Sequence, residues 1–255
     1  MPDAVTAALI VIGDEILSGR TKDVNIGTVA DFCTDLGIAL SEVRVVPDVE
    51  AEIVGAINAV RARYTYVFTT GGIGPTHDDI TADAVAKAFG VPLPINPEAR
   101  AVLEARWAAT GTEVNEARLR MARIPEGGSL IVNSVSAAPG FRIGNVHVMA
   151  GVPKIMQAML EAIAPTLEGG QKVQSVTICC RVGEGSIGSA FARIQEEFPD
   201  VKMGSYPRMG STSVMTELVL RSADAARLAV AAERVKAMVA DAHRHACLGE
   251  EVEAY

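Results

Sequence analysis

Two rhythms of apolar positions alternate along the first 90 residues. Ala7–Gly13 (AALIVIG) is a continuous apolar run ending in glycine, the pattern of a strand covered on both faces. Val24–Leu36 has helical spacing and stops at Gly37. Ile38–Val46 reads as a second strand. Val49–Arg63 reads as a helix with Ile53, Ala56, Ile57 and Val60 on one face. Tyr66–Thr70 is a third strand, and Thr81–Phe89 a helix closed by Gly90. This βαβαβα order predicts a parallel sheet with helices on both sides.

The pattern then loosens. Pro97–Ala122 reads as helix with a break at Gly111, and Pro97 suits a first turn. Short extended pieces at Leu130–Val132 and Phe141–Ile143 precede an apolar strand, Val146–Ala150, and a helix, Lys154–Leu167. The glycines of Glu168-Gly169-Gly170-Gln171 mark a boundary. Beyond it come a strand (Val173–Val182), a helix (Ser189–Phe198), two strands (Val201–Tyr206, Ser213–Arg221) and a helix (Ala225–Ala242). The tail through His243, His245 and Cys247 reads as polar and loose. The expected fold is α/β: a mostly parallel sheet in residues 1–168, then a small βαββα α+β domain in residues 173–245.

Composition narrows the function. The chain has 255 residues, of which 49% are hydrophobic, enough to bury a core and too many for a disordered chain. Its formal charge is −8 and its aromatic share 4%, which argues against a nucleic-acid partner. No apolar run approaches a membrane span, and Met1-Pro2-Asp3 offers no basic n-region, so a cytoplasmic protein is expected. Cys33, Cys179, Cys180 and Cys247 form no CxxC, and they read as reduced thiols rather than a zinc site. Gly183, Gly185 and Gly188 spell GxGxxG, but the next strand lacks the acidic residue at its end that a dinucleotide site needs. They read as a glycine-rich turn.

Four segments that follow expected strands carry the chemistry. They are Gly13-Asp14-Glu15-Ile16-Leu17-Ser18-Gly19, Thr69–Asp79 (TTGGIGPTHDD), Ser136–Phe141 (SAAPGF) and Ala150-Gly151-Val152-Pro153. In an open parallel sheet, ligands bind beyond the carboxyl ends of the strands. Gly71, Gly72 and Gly74, after Thr70, let a backbone approach a ligand closely. Pro75, Thr76, Asp78 and Asp79 then open a helix whose first N–H groups suit an anion. Phosphate fits that chemistry, yet Asp14, Glu15, Asp78 and Asp79 repel it. Mg²⁺ or another divalent cation between carboxylates and phosphates resolves the conflict. Asp14, Asp78 and Asp79 are the candidate metal ligands, and Glu15 the candidate general base. Either Asp78 or Asp79 also suits a helix cap, Glu15 a solvated turn, and Pro139 and Pro153 simple turns. Asn25 suits a helix start, or recognition of a base or pterin.

GDEILSG, TTGGIGPTHDD, APGF and GVP, in this order, resemble the molybdopterin-binding (MoaB/MogA-like) domain. The likeness is greatest to the N-terminal region of competence/damage-inducible protein CinA and of eukaryotic FAD synthase. Asn115–Leu130 and Gly204-Ser205-Tyr206-Pro207 extend it over nearly the whole chain. The resemblance implies a three-layer α/β domain that binds a pterin or a nucleotide pyrophosphate near Asp14, Gly71–Gly74 and Asp78-Asp79. It adds Gly13, Thr70, Ser136, Pro139, Gly140, Gly151 and Pro153 to the ligand-binding set, and a homo-oligomer is expected. It implies either metal-dependent hydrolysis of an ADP-ribose- or FAD-like pyrophosphate, or molybdopterin binding, in molybdenum cofactor biosynthesis or as a carrier without turnover. Ser136-Ala137 stands where the family usually has Gly-Thr, and Met149–Pro153 where CinA has LPGPP. Nicotinamide-mononucleotide deamidation and adenylyl transfer, which belong to other domains in those relatives, are not expected.

Overall fold

The structure is a computed structural model that describes residues 5–208 and 215–252. Met1–Asp3, Ser213 and the side chains of His245 and Cys247 fall outside the description. The chain divides into two compact units, residues 1–170 and 171–255.

The first unit is built on a six-stranded sheet in the order β2-β1-β3-β6-β5-β4. Its strands are β1 (Thr6–Ile12), β2 (Ala39–Val46), β3 (Tyr66–Thr70), β4 (Ser129–Ile131), β5 (Gly140–Ile143) and β6 (Val146–Met149). β2, β1, β3 and β6 run parallel, whereas β5 is antiparallel to both β6 and β4. β3 and β6 are buried at every position, as central strands covered on two faces must be. At the edge, β2 alternates exposed and half-buried residues.

Alternation in β1 divides the core between the two faces. Ala8, Ile10 and Ile12 pack with Ile53 and Ile57 of α3 (Glu50–Arg61), Val85 of α4 (Thr81–Phe89) and Leu103 and Trp107 of α5 (Pro97–Thr110). Ala7, Leu9 and Val11 pack with Val29 and Cys33 of α2 (Asn25–Asp35) and Met156, Met159 and Leu160 of α7 (Pro153–Ile163). The expected helix over Pro97–Ala122 is broken where Gly111 turns left-handed at φ 66°. Beyond it lie only α6 (Glu116–Leu119) and a 3₁₀ turn at Arg120–Ala122. A one-turn helix, α1 (Asp14–Leu17), follows β1 directly.

The second unit has the order β7 (Gln174–Cys180), α8 (Glu184–Glu197), β8 (Lys202–Pro207), β9 (Thr216–Ser222), α9 (Ala225–Val252). Its sheet is antiparallel with β9 in the middle. Leu218 and Leu220 of β9 meet Ile187 and Ile194 of α8 and Leu228 and Val235 of α9. Cys180 lies in this core while its neighbour Cys179 faces solvent, and both are free thiols, as is Cys33. Two expectations are corrected here. Gly185 and Gly188 lie inside α8, whose N-cap is Gly183, so the glycine-rich segment starts a helix instead of forming a turn. The tail is not loose: α9 continues through it, and His243 Nε2 accepts the Arg181 N–H at 2.8 Å. Among the described residues no helix is long and apolar enough to cross a membrane.

Candidate functional site

The chain leaves β1, β3 and β6 at the same edge of the sheet. Because β5 runs the other way, the β4–β5 loop returns to that edge too. All four predicted segments therefore lie there.

The segment after β3 is fixed by packing. Gly71 has φ +105°, and a Cβ on it would sit 2.1 Å from the Ile12 carbonyl oxygen of β1. Gly72 (φ +67°) leaves its missing Cβ to the Thr81 side chain of α4. Thr81 holds the loop with its N–H on Gly72 O (3.0 Å) and its hydroxyl on Gly71 O (3.0 Å). Packing against the protein itself therefore already requires both glycines. What the loop offers outward is backbone: among the described residues the N–H groups of Gly72, Ile73 and Gly74 have no protein acceptor. Gly151, after β6, packs against Gly71, and Pro153 opens α7.

The aspartates do not open α4 as the sequence predicts. The helix begins at Thr81 behind Ile80, with no side-chain cap, and Pro75–Asp79 form a separate turn. Neither aspartate is the cap. Asp79 Oδ2 accepts both the N–H (2.8 Å) and the hydroxyl (2.5 Å) of Thr76, so it braces its own loop. Asp78 points outward with its side chain 63% exposed, and His77 is fully open. The nearby Thr76 side chain, followed by the backbone N–H of Asp78, favours the charged form of the Asp78 carboxyl and lowers its pKa, although the Thr76 proton itself is directed to Asp79.

Asp48, just after β2, belongs to the site although no motif marks it. Its Oδ2 accepts the Asp14 N–H at 2.9 Å. Burial raises its pKa, the Asp14 N–H opposes that rise, and the charges of Asp14, Glu15 and Asp78 add to it. These four carboxylates therefore share one rim. The Glu15 carboxylate folds back over Gly13. Asp14, Asp78 and Asp79 are not a preassembled metal cage: among the described residues no group of three or more His, Cys, Asp or Glu is arranged to hold an ion. Separate carboxylates beside free N–H groups still suit Mg²⁺, which takes one or two protein carboxylates and completes its shell with water and phosphate oxygens.

Asn25 opens α2 and is buried, with only 5% of its surface exposed. Its Nδ2 donates to Gly151 O at 2.8 Å, tying α2 to the loop after β6. Its Oδ1 is buried without a partner, as is the Thr70 hydroxyl at the end of β3.

The β4–β5 loop is organised by Asn133, a second residue the sequence did not reveal. Its Oδ1 accepts the Val135 and Ser136 N–H groups, and its Nδ2 donates to Ser136 Oγ (2.7 Å) and Ala138 O (2.9 Å). Ser136 is thus held within its own loop. Pro139 is buried, and Gly140 leaves no room for a Cβ beside Val148 O, so both pack the start of β5. Pro139 and Phe141 border a narrow cleft of about 10 Å³ against Gly72–Gly74, Asp79 and Arg120.

Comparison with known proteins matches each unit to a family. The family described as "Probable molybdopterin binding domain" matches residues 8–169, and "FAD synthase, middle domain" matches residues 172–245. A protein of Pyrobaculum calidifontis is 34% identical over 212 residues, covering 80% of this chain and 81% of its own. A "Probable FAD synthase" of Caenorhabditis elegans is 30% identical over 246 residues, covering 87% of this chain and 47% of its own. Among solved structures, the protein CinA of Thermoplasma acidophilum matches with TM-score 0.59 and 35% identity, over 64% of this chain and 98% of that one. The chain is a CinA-like member of the molybdopterin-binding-domain family, carrying behind that domain a second one of the FAD synthase middle type.

Proposed function

We propose that the first unit is a metal-dependent pyrophosphohydrolase acting on a dinucleotide-like substrate of the ADP-ribose or FAD class. The observation that carries this reading is the pairing of three free N–H groups, on Gly72, Ile73 and Gly74, with an acidic rim of Asp14, Glu15, Asp48 and Asp78. Free N–H groups suit phosphate oxygens. The rim suits the cation that accompanies a pyrophosphate and repels a bare one. A divalent ion bound there would supply charge neutralisation at the phosphoryl group. Asp14 and Asp78 would hold it, and Asp48, fixed on the Asp14 backbone, would set the position of α1. Glu15 would take the proton of the attacking water. Asn25 Oδ1 and the Thr70 hydroxyl would receive the ring N–H or hydroxyl groups of the ligand.

Family membership favours a second reading, molybdopterin binding without turnover, because a pterin carries ring N–H donors and a phosphate as well. Mass analysis of ADP-ribose and FAD after incubation, with and without Mg²⁺, tests the first reading. AMP release that needs the metal supports it. Intact substrates, together with calorimetric binding of molybdopterin, would leave the second.

A further inference from the structure

We propose that Arg120 is the cation that seats the ligand's phosphoryl group on the Gly72–Gly74 loop, an inference that rests on reading this loop as a phosphoryl site. Two arginines bracket this stretch, Arg120 opening the 3₁₀ turn and Arg123 following it. Arg123 is neutralised: its two terminal nitrogens bind both oxygens of Asp83, at 2.8 and 2.7 Å. Arg120 has no carboxylate partner among the described residues, although Asp79 lies alongside. One of its terminal nitrogens donates to the backbone oxygen of Asp79 at 3.1 Å, which parks the guanidinium on the loop. Its Nε, like that of Arg123, is buried without an acceptor among the described residues, so the two differ in what their terminal nitrogens bind. The side chain borders the same cleft as Gly72, Ile73 and Gly74.

A half-buried guanidinium within an acidic neighbourhood ordinarily pairs with a carboxylate. Here the Asp79 carboxylate is turned away onto Thr76 and its backbone carbonyl is presented instead. The fork is thereby positioned and left with donors to spare. Its planar set of N–H groups matches two oxygens of one phosphoryl group, and the loop N–H groups meet a third. Arg120 also supplies positive charge on the inner side of a site whose rim is negative.

The test is calorimetric titration of the whole chain with inorganic pyrophosphate and with ADP-ribose, in Mg²⁺, for the wild type, Arg120→Gln and Arg120→Lys. The expected result is affinity about 10–100-fold weaker in R120Q for both ligands. R120K should fall between, because it keeps the charge and loses the fork, and the melting temperature should be nearly unchanged in both. Should R120Q fail to fold, R120K carries the comparison. Pyrophosphate bound equally well by wild type and R120Q would overturn the role of Arg120 alone. A wild type that binds neither ligand would overturn the phosphoryl site and this inference with it. Binding that depends on Arg120 without any hydrolysis would uphold the inference while sinking the hydrolase reading.

Discussion

Asp48 Oδ2 and the backbone N–H of Asp14 lie 2.9 Å apart, joining the end of β2 to the first turn after β1. The bond needs an acceptor but not a charge. Asp48 carries its charge among Asp14, Glu15 and Asp78 while partly buried, and its pKa is raised accordingly. A carboxyl whose folded pKa is raised contributes stability below its unfolded value and loses it as pH rises through the folded one. Asp48→Asn keeps the acceptor and removes the repulsion. It should stabilise the first unit by about 0.5–1 kcal/mol at neutral pH. Urea unfolding should show the gain disappearing in acid, where the wild-type carboxyl is neutral. Mg²⁺-dependent ligand binding should weaken in the same variant.

The adjacent aspartates should separate in their effects. Asp78 is solvent-facing, so Asp78→Asn should leave the melting temperature unchanged and depress metal-dependent turnover at least tenfold. Asp79 braces Thr76 with two hydrogen bonds, so Asp79→Ala should cost about 1–2 kcal/mol of stability and weaken ligand binding through a loosened loop. Equal loss of stability in both variants would contradict this division.

Gly71 is the least replaceable residue of the loop. In Gly71→Ala the Cβ meets rigid backbone of β1 at 2.1 Å, in a conformation L-residues avoid. The sheet must spread at its carboxyl edge, and a loss of more than about 3 kcal/mol is expected. Circular dichroism melting would reveal it. A variant as stable as the wild type would mean that β1 and the loop are further apart than described.

His147 makes the first unit acid-sensitive. It lies in β6 with both ring nitrogens buried and without a well-formed hydrogen bond among the described residues, packed against Tyr66 and Phe68. Burial first, and the Arg142 charge second, depress its pKa to about 4. The folded state therefore keeps it neutral while the unfolded chain protonates near its ordinary value of about 6.5, so stability is lost as pH falls between the two. The loss attributable to His147 should be about 2 kcal/mol from about pH 7 to about pH 4.5. Denaturant titration of His147→Leu should show that part of the pH dependence removed.

Asn133 should prove structural. Asn133→Ala removes four hydrogen bonds that shape the Ser136–Pro139 loop and should cost about 2–3 kcal/mol. Ala137, the only described non-glycine residue with positive φ (66°), sits within this loop. Ala137→Gly should relieve its backbone at a small net gain, measurable as a raised melting temperature.

The sequence by itself determined the elements and their order. The continuous apolar run of β1 announces a buried parallel strand, because a strand covered on both faces has no polar side to show. Gly37, Gly90 and Gly111 end helices at φ near 70°, a conformation local sequence alone selects. The motif segments were legible for the same reason, being short and contiguous. Tertiary structure decided what joins them. Asp48 and Asn133 carry no motif, and Arg120 lies in a segment of family likeness that assigns it no role; the sheet edge and a 3₁₀ turn bring them beside the motif segments. Only packing shows that Gly71 and Gly72 must be glycine to clear Ile12 and Thr81. The direction of β5 was likewise undecided by its four residues, since strand orientation follows from which neighbour a strand pairs with and not from its own side chains.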